Sequence, residues 1–113
     1  MTPAEFQRYL DRDGARCMHC GATAGLVPQH RIGRGMGGSA LGDPASRHAP
    51  SNVIVLCSHY NGLIESNAEH AAVALRAGWK LHTWQEPLIE PVYDKAAEAW
   101  FYLDNDYHRT RME

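Results

Sequence analysis

Cys17 and Cys20 form a C-x-x-C pair, and Cys57 and His59 follow well downstream. Two thiolates on one knuckle, a third thiolate and an imidazole make a tetrahedral Cys3His zinc site with a closed, structural shell. The same cysteines also fit small buried hydrophobes with His59 at the surface, and the spacing leaves both readings open. His30 stands between Gln29 and Arg31 at the end of an apolar stretch. A histidine there meets a substrate and, titrating near pH ~6.5, is a neutral general base at pH 7. Arg31, Arg34 and Arg47 face only Asp43 between residues 26 and 52, with glycines at 33, 35, 37 and 38. Arginine forks suit phosphate oxygens, and glycines let backbone amides approach them closely. Asn61 and Glu65 share one helix face and both offer oxygen to a hard cation.

These residues need elements to position them. Thr2, Pro3 and Glu5 predict a helix start, Phe6, Tyr9 and Leu10 its apolar face, and Asp13-Gly14 its end. Cys17, Cys20 and Gly21 predict a tight knuckle. Residues 26–28 predict a short strand ended by Pro28, and residues 31–51, with five glycines and two prolines, predict a loop. Asn52 opens the most apolar strand, residues 53–56, and residues 60–65 predict a short helix. A capping box at Ser66 and Glu69 opens a helix with Ala68, Ala71, Ala72 and Leu75 as its stripe and Gly78 as its C-cap. Residues 79–84, 92–93 and 100–103 predict short strands.

A chain of 113 residues has room for one small domain with a modest core, which a metal would help to stabilise. Its 44% apolar and 21% charged residues argue against wholesale disorder. A formal charge of -2 excludes a globally basic nucleic-acid coat and leaves room for a local basic patch. The longest apolar run, Val53-Ile54-Val55-Leu56-Cys57, is too short to span a membrane. The N-terminus lacks a signal-peptide core, and three cysteines cannot all pair, so the expected setting is a reducing cytoplasm.

In chain order the features are CxxC, strand, His, glycine-rich loop, Asn, strand, Cys, and a short helix with Asn. This order resembles the HNH endonuclease superfamily, specifically its small zinc-containing forms in bacteriophages and their bacterial hosts. The resemblance spans residues 17–65. Leu26-Val27-Pro28-Gln29-His30-Arg31 and Ser51-Asn52-Val53-Ile54-Val55-Leu56-Cys57 carry most of it. The second half is similar, more weakly, to the tails of phage-encoded HNH-like proteins.

The resemblance implies an α+β fold in a single domain over residues 1–113. A ββα-metal core with a zinc knuckle would occupy residues 17–65. An N-terminal helix would precede it, and a C-terminal helix plus short strands would fill residues 66–113. His30 matches the general base, Asn52 the asparagine that pins the active-site loop, and Asn61 the last motif position, elsewhere a metal-binding histidine. The implied cation is Mg²⁺ or Mn²⁺, held by Asn61 with Glu65 or Gln29, which would stabilise the leaving 3′-oxygen of a scissile phosphate. Zn²⁺ would sit on Cys17, Cys20, Cys57 and His59, and Arg31, Arg34 and Arg47 would contact DNA. Two positions depart from the pattern. Gln29 stands where many members carry aspartate or histidine, and Tyr60 where the second knuckle usually ends in cysteine. The expected function is a metal-dependent endonuclease hydrolysing DNA phosphodiesters. The alternative is a catalytically degenerate HNH-fold phage protein that binds a protein or DNA, with the aromatic-rich second half as its interface.

Overall fold

Thr2 sets the first element, α1 (Pro3–Asp13), because its hydroxyl accepts from the Glu5 amide at 3.1 Å and satisfies one of the orphan donors of the first turn. Pro3 occupies the first turn, and Gly14 ends the helix at φ 80. The computed structural model describes residues 1–33 and 48–113. Over these residues the chain is α+β, with three α-helices and two small antiparallel sheets.

Strand β1 (Leu26–His30) pairs with β2 (Val53–Cys57) in a register running from Leu26↔Cys57 to His30↔Val53. Pro28 does not end β1 as the sequence predicts. The Arg31 amide donates to the Asn52 carbonyl and the Ser58 amide to the Gly25 carbonyl, so on the β1 side the odd-numbered residues carry the ladder bonds. Pro28 falls on an even position whose nitrogen faces away from β2, where a missing N–H leaves the ladder intact. Residues 53–56 are all buried, because both faces of β2 are covered. On one face Val53 and Val55 pack with Tyr9, Phe6 and Leu10 of α1. On the other Ile54 and Leu56 pack with Tyr60 and Ile64 of α2 (Ser58–Ser66) and Ala74 and Ala77 of α3 (Ala68–Ala77).

The cap of α3 is Asn67, one residue later than predicted. Its side chain accepts from the amides of Glu69 and His70 at 2.9 and 3.1 Å, while the Ser66 hydroxyl turns back to the Gly62 carbonyl. The buried stripe is correspondingly rotated onto Ala74 and Ala77, leaving Ala68 exposed. Gly78 ends α3 at φ +78, and a Cβ there would lie 2.2 Å from the Pro91 carbonyl oxygen, so both conformation and space require glycine.

Residues 79–84 form no strand. Their polar groups go to scattered partners: the Trp79 indole to the Tyr93 carbonyl at 2.6 Å and the Leu81 amide to the Arg31 carbonyl at 2.8 Å. The predicted strands further on are present as β3 (Val92–Asp94) and β4 (Ala99–Leu103). A third, β5 (Arg109–Arg111), completes an antiparallel meander in the order β3-β4-β5. Val92 and Leu103 carry this sheet into the core beside Trp79. No helix among the described residues is long and apolar enough to cross a membrane.

Candidate functional site

The knuckle after α1 is closed by the Cys17 amide on the Ala22 carbonyl at 2.9 Å and the Gly21 amide on the Cys17 carbonyl at 2.8 Å. Gly21 takes φ +78, a conformation that glycine adopts without a steric penalty. This turn and the β2–α2 junction bring Cys17, Cys20 and Cys57 together, with all three sulfurs within 4.8 Å of one another. The Cys20 and Cys57 sulfurs are 3.9 Å apart and form no disulfide. Thiolates on tetrahedral zinc, at ~2.3 Å from the ion, lie ~3.8 Å from each other, so the spacing fits zinc. The amides of His19 and Tyr60 each point at a sulfur, of Cys17 and Cys57 respectively, at 3.4 Å. A hydrogen bond from the Ala22 backbone leads in holding the Cys20 thiol below its ordinary pKa, whereas burial pushes Cys17 up to about 11. A metal binding at these sulfurs would displace protons.

The structure does not bring His59, predicted as the fourth ligand, to the three sulfurs. It is exposed on the first turn of α2 and stands outside the sulfur group. Tyr60, where a second knuckle would end in cysteine, turns into the core and stacks flat on His19, with ring centroids 3.5 Å apart. Metal analysis of the untagged chain is expected to give about one zinc per chain. Cys57→Ser should lose it together with about 3 kcal/mol of stability, roughly 10 °C or more in Tm. An unchanged Tm in the metal-free Cys57→Ser protein would reject the centre.

The second grouping lies at the end of β1. Gln29 shares a face with Ile54, the face covered by α2, and there the Asn61 amide donates to the Gln29 side-chain oxygen. Glu65, one turn further along α2, is exposed. Asn52 is fully buried, and its side chain spans the residue after Arg31: its oxygen accepts from the Ile32 amide at 2.9 Å and its amide donates to the Ile32 carbonyl at 3.3 Å. With the Arg31 amide on the Asn52 carbonyl at 2.8 Å, these bonds staple the chain leaving β1 to the start of β2. His30, last in the strand, alternates to the opposite side from Gln29. Its half-buried ring meets the edge of His48, with centroids 5.5 Å apart. The sequence reading missed His48 because nothing in its spacing ties it to residue 30.

Arg31 does not reach a phosphate. Its side chain is fully buried. Its Nε donates to the Gly78 carbonyl at 2.7 Å, Nη1 to those of Ser51 and Pro87 at 3.0 and 3.1 Å, and Nη2 to those of Glu90 and Pro91 at 2.7 and 3.4 Å. Burial pushes its pKa down to about 10, which leaves it charged at neutral pH. An arginine beside a candidate base reads from sequence as a surface cation; only its five distant partners reveal a clamp. Arg34 and Arg47, with Asp43 and the glycines between them, lie outside the described residues.

Comparison with protein-family models, with curated proteins and with solved structures returns no match.

Proposed function

We propose that the chain is a metal-dependent HNH-type endonuclease with a ββα-metal core made of β1, β2 and α2. The observation that carries the reading is the convergence at the end of β1. Gln29 meets Asn61 across the strand and helix, and Asn52 staples the residues that follow His30. A base on one side of the strand end and oxygen donors on the other suit an in-line displacement at a phosphodiester lying across it. In this reading His30 takes the proton of the attacking water, and His48 borders the base. Asn52 keeps the strand end in place, so the base needs no reorganisation as the proton moves.

Gln29 and Asn61 would hold Mg²⁺ or Mn²⁺, which supplies charge neutralisation at the phosphate and the leaving oxygen. Both are neutral amides, and among the described residues no cluster of carboxylates or histidines stands with them. Such a pair fits a cation held chiefly by water and substrate phosphate, and does not fit one resident in the free protein.

The same pair favours a second reading. Gln29 and Asn61 are hydrogen-bonded to each other, as in a catalytically degenerate scaffold that binds DNA or a protein partner without cutting. Supercoiled plasmid incubated with the protein across a Mg²⁺ and Mn²⁺ series separates the two. Nicking that climbs with metal concentration and needs DNA and metal together is the expected result. A folded protein that leaves plasmid intact at every metal concentration would overturn the enzyme reading in favour of the binder.

A further inference from the structure

The geometry points to a zinc centre built on Cys17, Cys20 and Cys57 alone, whose fourth coordination position is filled by a small-molecule thiolate from the cleft beside Lys95. The inference rests on the zinc reading of the three sulfurs and goes beyond it. Zinc in protein sites is almost always four-coordinate, and sites with three protein ligands leave one position for an exchangeable group. No imidazole or carboxylate among the described residues joins the sulfurs within their 4.8 Å. His59 is exposed and outside the group, and His19 is held flat against Tyr60. Residues 34–47 contain neither cysteine nor histidine, so they add no thiolate or imidazole.

The Cys20 side of the group faces solvent. Cys20 is exposed, and with His19, Lys95 and Ala96 it lines a cleft of about 280 Å³. The Lys95 amide donates to the Met18 carbonyl at 2.9 Å, which ties that segment across the knuckle. Three thiolates on Zn²⁺ leave one net negative charge, and the Lys95 ammonium offsets it, so an anionic fourth ligand is admitted. A sulfur-rich shell favours a soft donor. The step is a ligand exchange: water leaves the metal, the thiolate enters, and the thiol's proton goes to solvent.

The test uses the full chain with Co²⁺ in place of Zn²⁺, titrated with 2-mercaptoethanol and, separately, with chloride. Thiol is expected to raise the thiolate-to-cobalt absorption saturably, in the ratio of four sulfurs to the three supplied by the protein. Chloride should leave that band unchanged. Lys95→Gln should weaken thiol binding several-fold while still taking up one cobalt per chain. His19→Ala and His59→Ala should start from the parent spectrum. A spectrum that ignores thiol, or that shifts in either histidine variant, means a protein imidazole closes the centre and overturns the proposal. Loss of cobalt to the thiol overturns it too. Metal analysis tells the two failures apart. No metal on the chain removes the zinc reading itself, whereas one metal per chain with a thiol-blind spectrum removes only the open position.

Discussion

His30→Ala is expected to nick plasmid about 10²–10⁴-fold more slowly than the parent protein at saturating Mn²⁺, the range that a positioned general base contributes. Only the neutral imidazole accepts a proton, so the parent rate should climb with pH as the ring deprotonates. The alanine protein should lack that limb. Gln29→Asp adds charge on the side of β1 that faces Asn61. It should lower the metal concentration needed for half-maximal rate by about tenfold, equivalent to ~1.4 kcal/mol. In the double variant with His30→Ala the gain should vanish, because a better-held cation still lacks the group that takes the proton. Initial nicking rates against metal concentration for these four proteins decide the matter. Equal rates for the parent and His30→Ala would remove His30 as the base. Unchanged metal dependence in Gln29→Asp would mean that residue 29 does not face the cation.

Arg31→Met is expected to destabilise the fold by about 3–5 kcal/mol, the scale for breaking a buried charged network, or at least roughly 12 °C in Tm. The carbonyls of Ser51, Gly78, Pro87, Glu90 and Pro91 converge on one guanidinium, so its loss leaves buried acceptors without a donor. No carboxylate among the described residues forms an ion pair with Arg31, so peptide dipoles solvate the charge, helped by the more distant Glu90 carboxylate. Arg31→Lys should recover less than half of the loss, since a compact ammonium cannot reproduce the planar fork. Thermal or urea unfolding measures both variants. A surface phosphate contact would give the opposite pattern: unchanged stability with weaker, less salt-sensitive DNA binding.

Much of the local structure is legible in the residues because neighbours enforce it. Thr2, Pro3 and Gly14 bound α1 where their hydrogen-bonding habits require. The C-x-x-C turn with Gly21 closes as a knuckle, and Asn52 sits buried at the mouth of the apolar strand. Even there, single-residue choices escape. Asn67 outcompetes Ser66 as a cap because its longer side chain reaches two amides, while the Ser66 hydroxyl finds the Gly62 carbonyl. Pro28 looks like a strand end until the pairing parity shows that its nitrogen points away from β2.

The sequence by itself determined the chemistry available to this protein: three thiols, a histidine at a strand end, and amides at positions 29, 52 and 61. Tertiary structure alone decided which of these groups meet and which way the charges face. Tyr60 goes inward because His19 and Trp79 offer it an aromatic wall, and among the described residues the metal-ligating group is the three cysteines. Arg31 goes inward because segments up to 60 residues away present carbonyls to it. Partners that far along the chain leave no periodic trace, since their proximity arises only when the second half packs against the first.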